Sequence, residues 1–129
     1  MNDNKHTLPK HVAIIPDGNR RWAVQNHKSA FEGHKLGAET AVKIVKKIFS
    51  MGVNTGTFWA FSSENWKRSE EEIKYLVQLG GIFFGKLMDE AVKDKIHVTH
   101  LGRKDRLPDS ILKKISETEE KTKHFSDNF

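Results

Sequence analysis

The chain has 129 residues, 36% hydrophobic and 30% charged, and its 33 Leu, Ile, Val and Phe residues supply enough apolar side chain for one domain with a core, which excludes a disordered polymer. It contains no Cys, which excludes a disulfide framework, a thiolate metal site and a thiol nucleophile; no run approaches the ~20 apolar residues of a membrane span, and residues 1–10 hold no apolar leader core. The net charge of +5 is uneven, +6 over residues 1–68 and −1 over residues 69–129, and a basic front suits an anionic ligand as readily as a merely solvated surface.

In chain order, residues 11–15 (His-Val-Ala-Ile-Ile) read as a short strand, stopped by the turn formers Pro16-Asp17-Gly18-Asn19. Ala38, Ala41, Val42, Val45, Ile48 and Phe49 recur at helical spacing, and Gly52 is the natural terminator of that helix. Residues 55–61, rich in β-branched and aromatic side chains, predict a second strand. Ser69 and Glu72 have the spacing of a capping box, opening a helix that carries Ile73, Leu76, Val77, Phe83, Phe84, Leu87, Met88 and Ala91. Gly80-Gly81 weakens its middle and marks a candidate kink. Residues 96–101 predict a third strand, and Pro108 opens a last helix carrying Ile111, Leu112 and Ile115. No repeat, low-complexity tract or linker divides the chain, so residues 1–129 are read as one domain. The alternation predicts an α/β fold, a parallel sheet of about three strands covered by helices. Its last edge is then open to a partner or a further strand.

Two turns carry the chemistry. The first, Asp17-Gly18-Asn19-Arg20-Arg21-Trp22, lies where a strand's carboxyl end meets a helix start, the usual ligand position in open α/β sheets. Gly18 lets backbone approach a phosphate, and two adjacent Arg offer bidentate donors. Asp17 fits beside a phosphate when a cation lies between them, and Mg²⁺ commonly binds through one or two carboxylates plus phosphate oxygens. The plainer reading is a helix capped by Asn19 with solvated arginines. The second turn, Ser62-Ser63-Glu64-Asn65-Trp66-Lys67-Arg68, leaves the sheet at the same edge. For a diphosphate site Ser62 and Arg68 would bind oxygens and Asn65 could accept a proton; otherwise a serine caps a turn and Trp66 packs inward. His34, after Gly33, is either a third phosphate donor or proton carrier, or an ordinary helix-start histidine. The remaining histidines show no metal-ligand spacing.

Taken together, residues 11–23, Gly33-His34 and residues 61–68 resemble the cis-prenyltransferases, the undecaprenyl-diphosphate-synthase-like isoprenyl transferases, with order and spacing matched from about Leu8 to Phe129. The Ile-Pro-Asp-Gly-Asn-Arg-Arg wording is similar to the archaeal and eukaryotic-like branch. The resemblance implies condensation of isopentenyl diphosphate with an allylic prenyl diphosphate to give a cis-polyprenyl diphosphate, an undecaprenyl-type lipid-carrier precursor, with Mg²⁺ required. It implies a cytoplasmic homodimer in the full-length family, with peripheral membrane contact through the product and no nucleic acid. Carried over by residue, Asp17 resembles the Mg²⁺-associated catalytic carboxylate and Asn65 the proton acceptor. Gly18, Asn19, Arg20, Arg21, Trp22 and His34 resemble the first substrate-binding set, and Ser62, Ser63, Glu64, Trp66 and Arg68 the second. Phe83, Phe84, Leu87 and Met88 are either hydrocarbon-tunnel lining or plain core.

Two departures accompany the resemblance. Family members place an Arg four residues before the histidine; here that residue is Ala30, and the nearby Lys28 offers a point charge rather than a planar fork. The family's later Tyr-Gly-Gly segment and Arg/Ser/Asn-rich motif are not in these 129 residues, so the chain reads as the front portion of the fold, with activity impaired alone. Two other functions compete: a noncatalytic diphosphate-binding subunit that needs a partner chain, and a single-stranded nucleic-acid binder stacking bases on Trp22, Trp59 and Trp66. The second explains neither Asp17 nor Asn65.

Overall fold

A computed structural model of the chain describes residues 7–126 together with Asn128. Residues 1–6, Asp127 and Phe129 lie outside the described residues, and with them His6 and most of the segment read as lacking a leader. Two short strands, β1 (His11–Ile14) and β2 (Thr55–Phe58), pair in parallel, with His11 opposite Thr55 and Ile14 opposite Phe58. A parallel pair needs a long crossover, here supplied by α1 (Asn19–Gln25) and α2 (Ala30–Ser50).

The helix starts are set by local chemistry. Gly18 precedes α1 in the left-handed region, φ 92°, which a side chain would disfavour. Asn19 is therefore the first helical residue and not the cap. α2 begins earlier than its apolar periodicity predicts, because Ser29 and Glu32 form a complete capping box: the Glu32 N–H donates to Ser29 Oγ at 3.2 Å, and the Ser29 N–H donates to Glu32 Oε2 at 2.9 Å. His34 thus sits in the second turn of α2, not at its start. Gly52, at φ 91°, ends that helix as the sequence predicts.

α3 (Glu70–Lys93) lies alongside α2 and runs in the same direction. Near their starts the Phe31 and Tyr75 rings are 4.5 Å apart and the Tyr75 hydroxyl donates to the Phe31 carbonyl at 3.0 Å; toward their ends Lys46 pairs with Glu90. Both amino-terminal ends therefore point to one end of the molecule. The predicted capping box of α3 is only half made. Ser69 Oγ accepts from the Glu72 N–H at 3.3 Å, while the Glu72 carboxylate turns elsewhere.

α4 (Asp109–Thr122), preceded by Pro108, packs on α3. α3 runs unbroken through Gly80-Gly81. A Cβ at Gly81 would stand 3.5 Å from Ile111 Cδ1, and Lys114 Nζ donates to the Gly81 carbonyl at 3.1 Å. Gly81 thus faces α4, while Gly80 meets no neighbour, and the pair does not interrupt the helix.

The predicted third strand does not form a ladder. Ile96 makes a single parallel bridge, to Asn128, and the N–H groups of this segment are taken by other acceptors. Val98 N–H donates to Thr122 Oγ1 at 3.0 Å, and His100 N–H to Glu119 Oε1 at 2.7 Å. Side chains of α4 thus stand where a neighbouring strand would, and among the described residues the sheet has two strands rather than about three. The α/β class holds. Buried Ala41, Val53, Ala91, Ile96, Ile111 and Ile115 form the core. Among the described residues, no helix is long and apolar enough to cross a membrane.

Candidate functional site

At the carboxyl end of β1 the chain opens a polar cleft of about 620 Å³. Pro16, Asp17, Gly18, Asn19, Arg20 and Arg21 form one wall, and His34 and Arg68 the other. The two predicted turns therefore meet, but unequally. From the first turn Asp17 through Arg21 all reach the cleft; from the second, only Arg68 does.

Asp17 is exposed on the cleft and keeps its carboxylate busy locally. Oδ1 accepts from the Gly18 N–H at 2.6 Å and Oδ2 from the Arg21 guanidinium at 3.0 Å. Among the described residues, no group of three His, Asp or Glu could by itself enclose a metal ion. Each Asp17 oxygen accepts one of these bonds and retains a further lone pair, so the residue fits a cation otherwise liganded by phosphate oxygens.

Asn19 is seated against α2. A Cβ at Gly37 would fall 2.7 Å from Asn19 Cγ, and one at Gly33 would stand 3.0 Å from the Ala23 Cβ. Only glycines, one helical turn apart, leave room for the first turn to approach this closely. Gly37 was not among the residues singled out from sequence; its signal was the pair Gly33 and Gly37 on one helix face.

A second, mostly apolar cleft of about 380 Å³ shares Pro16 through Asn19 with the first. Ile14, Trp22, Leu36, Ala41, Ile44 and Phe58 line it. Trp22 faces this apolar side rather than the polar one. Phe83, Phe84, Leu87 and Met88 line neither cleft, which favours their reading as packing residues.

The second turn is closed on itself. Residues Ser63–Lys67 form a 3-10 helix, in which Asn65 Oδ1 accepts the Ser62 N–H at 2.8 Å. The Trp66 ring meets Phe61 edge-on, with centroids 5.1 Å apart. Ser62, Ser63, Glu64, Asn65 and Trp66 line neither cleft. Nor does Lys28 replace the arginine missing at Ala30, since its ammonium pairs with Glu32 at 3.5 Å away from the cleft lining.

Arg68 and His34 converge on one oxygen. Glu72 Oε1 accepts from Arg68 Nη1 and from His34 Nε2, both at 3.1 Å. The Glu72 side chain is only 14% exposed, that of His34 8% and that of Arg68 27%. The spacing of Glu72 from Ser69 predicts a helix cap alone. Nothing in its spacing distinguishes the two uses.

Comparisons with known proteins point to one family. The undecaprenyl diphosphate synthase (Prenyltransf) family model matches residues 15–129. A ditrans,polycis-undecaprenyl-diphosphate synthase ((2E,6E)-farnesyl-diphosphate specific) from Micrococcus luteus is 42% identical over 95% of this chain and 49% of its own length. An isoprenyl transferase from Thermotoga maritima is 42% identical over 92% of this chain and 51% of its own. The crystal structure of lavandulyl diphosphate synthase from Lavandula x intermedia, in complex with dimethylallyl diphosphate, superposes with a TM-score of 0.88 at 31% identity, over 93% of this chain and 52% of that one. The chain thus spans about half the length of the relatives it matches. With two strand-end turns meeting at one polar cleft and the family model matching nearly its whole length, the chain belongs to the undecaprenyl diphosphate synthase family of prenyltransferases.

Proposed function

We propose that this chain binds an allylic prenyl diphosphate for condensation with isopentenyl diphosphate into a cis-polyprenyl diphosphate. The observation that carries the reading is the pair of clefts hinged on Pro16 through Asn19, one polar with three arginines and one mostly apolar. That is the shape of a ligand with an anionic head and a hydrocarbon tail. The names of the relatives support it, since one is specific for farnesyl diphosphate and another was crystallised with dimethylallyl diphosphate.

In the proposed reaction the allylic carbon–oxygen bond breaks, and pyrophosphate departs with the electron pair. The C4 carbon of isopentenyl diphosphate forms the new carbon–carbon bond, and a proton leaves its C2. Arg20, Arg21 and Arg68 would bind the leaving oxygens by charge-assisted hydrogen bonds, with His34 beside them. Both long helices α2 and α3 aim their amino ends at this side, where Glu32 and Glu70 through Glu72 in their first turns offset the positive end of the helix dipole. Asp17 would hold a magnesium ion against the phosphate oxygens; such an ion, when bound, neutralises charge building on the leaving group. Trp22, Leu36 and Ile44 would keep water from the allylic carbon. Assigning the departing proton to Asn65 requires the 3-10 turn to release that amide toward the cleft. Homodimerisation and a cytoplasmic setting belong to the same reading. Because the chain spans about half the length of its relatives, turnover by this chain alone is expected to be weak.

Calorimetric titration with farnesyl diphosphate, farnesol and inorganic pyrophosphate, each with magnesium, tests the reading. Farnesyl diphosphate should bind at least tenfold more tightly than either half-ligand, and Asp17→Ala should remove the magnesium dependence. Equal binding of farnesol and farnesyl diphosphate would overturn it.

A further inference from the structure

Arg68 and His34 come from different elements, the end of the 3-10 turn and the second turn of α2, and neither is fixed by its own backbone. What they share is a single oxygen on α3. From this geometry we infer that Glu72 is a positioning residue for the diphosphate cleft, a strut that aims Arg68 and His34 into it. The inference rests on the diphosphate reading above for its purpose, but its geometry stands without any ligand.

Three observations carry it. Glu72 Oε1 accepts two bonds at 3.1 Å from two donors that both line the polar cleft, while Glu72 itself does not line it. The carboxylate leaves the capping role its spacing predicts, since the Ser69 hydroxyl caps α3 without it. All three side chains are largely withdrawn from solvent, where charge-assisted bonds are strongest and an unmatched charge is most costly.

The chemistry follows from the donor set. A carboxylate accepts only, so Nε2 of His34 must carry the hydrogen, which in the neutral ring leaves Nδ1 bare. Glu72 therefore selects the ring's tautomer as well as its orientation. Arg68 spends one Nη1 hydrogen on the strut, and among the described residues its remaining N–H donors meet no acceptor, which leaves them for an anion. The same bonds clamp the second turn to α2, so His34 and Arg68 keep a fixed separation on their wall of the cleft. Glu72 touches no substrate in this arrangement and acts only through its two partners.

The test uses the 129-residue chain and two readouts. The first is the ¹⁵N spectrum of the His34 ring at about pH 8.5, above the ordinary imidazole range of about 6.5, with no ligand present. The second is the dissociation constant for inorganic pyrophosphate with magnesium. In the wild type the ring should show one tautomer, protonated at Nε2. Glu72→Leu, which removes the acceptor, should give a mixture of tautomers and weaken pyrophosphate binding about tenfold or more. Glu72→Gln, which keeps an acceptor oxygen but drops the charge, should hold the tautomer and weaken binding by an intermediate factor. Glu71→Gln, an exposed neighbour in the same helical turn, should change neither. If Glu72→Leu does not fold, the order wild type, Glu72→Gln in affinity decides. An unchanged ring spectrum in folded Glu72→Leu, or pyrophosphate binding within twofold of wild type in both variants, would overturn the assignment. Failure of the wild type to bind pyrophosphate would instead count against the diphosphate reading, and the ring spectrum would still decide whether Glu72 sets the ring.

Discussion

The turn after β1 and the turn after β2 start from the same sheet edge and carry comparable sets of polar residues, yet they reach the cleft very differently. The first sends Asp17 through Arg21 into it, and the second sends Arg68. The cause is local. Gly18, in the left-handed region, swings the first turn directly into a helix, so successive side chains fan outward over one concave surface. The second turn satisfies itself: Asn65 bonds back to Ser62, Trp66 packs on Phe61, and only the residue that leaves the turn is presented. Residue content alone does not make a binding loop. What matters is whether a turn's polar atoms are consumed closing it.

The largest effect that would break this comparison is on Arg68. Arg68→Ala removes a charged donor from the cleft and leaves Glu72 with His34 alone; at about 1.5–3 kcal/mol for a hydrogen bond to a charged group, pyrophosphate binding should weaken about 10- to 150-fold. Ser63→Ala, in the same turn but off the cleft, should stay within twofold by the same calorimetry.

Next in size is Gly37→Ala. Its methyl group would collide with the Asn19 side chain and displace the first turn. Overpacking of this kind costs about 1–3 kcal/mol, so the thermal midpoint should fall measurably and pyrophosphate affinity should drop with it. An Ala at Gly80, which meets no neighbour, should not destabilise the chain.

A smaller effect is expected at Asn65. Asn65→Ala loses the bond that closes the 3-10 turn, worth about 0.5–1.5 kcal/mol, and should lower stability while weakening pyrophosphate binding only a few-fold through Arg68. If binding falls as far as in Arg68→Ala, Asn65 faces the ligand and the two turns are more alike than they look.

The smallest lies on the α4 side. Among the described residues the Nδ1 of His100 has no hydrogen-bond partner; burial, then the Lys104 ammonium, push its pKa down, and Glu119 partly opposes them. A histidine with a lower pKa folded than unfolded contributes stability above the unfolded value of about 6.5 and loses it as pH falls through that range. The thermal midpoint should therefore drop between about pH 7.5 and about pH 5, and drop less in His100→Gln.

Much of this was legible in the residues. β1 and β2 showed as β-rich runs, Gly52 as a terminator, and Asp17-Gly18-Asn19-Arg20-Arg21 as a turn at a strand's carboxyl end, where it lines a cleft, because each follows from a local rule. What failed was non-local. Residues 96–101 carry a strand pattern, but Thr122 and Glu119 of α4 capture two of their N–H groups, and no window around residue 96 contains those partners. Glu72 has a cap's spacing and a strut's position, and only the packing of α3 on α2 separates the two. The start of α2 differs from its apolar periodicity for a different reason: Ser29 and Glu32 form a capping box, a polar signal that lies ahead of the first apolar repeat at Ala38.

The central claim is that the two turns serve one anion together. Amide and side-chain resonances followed during titration of the 129-residue chain with pyrophosphate and magnesium test it most directly. Saturating shifts sharing one dissociation constant are predicted at Asp17 through Arg21, His34 and Arg68, with little change at Ser63 and Glu64. Shifts confined to one turn, or separate constants for the two, would contradict the account.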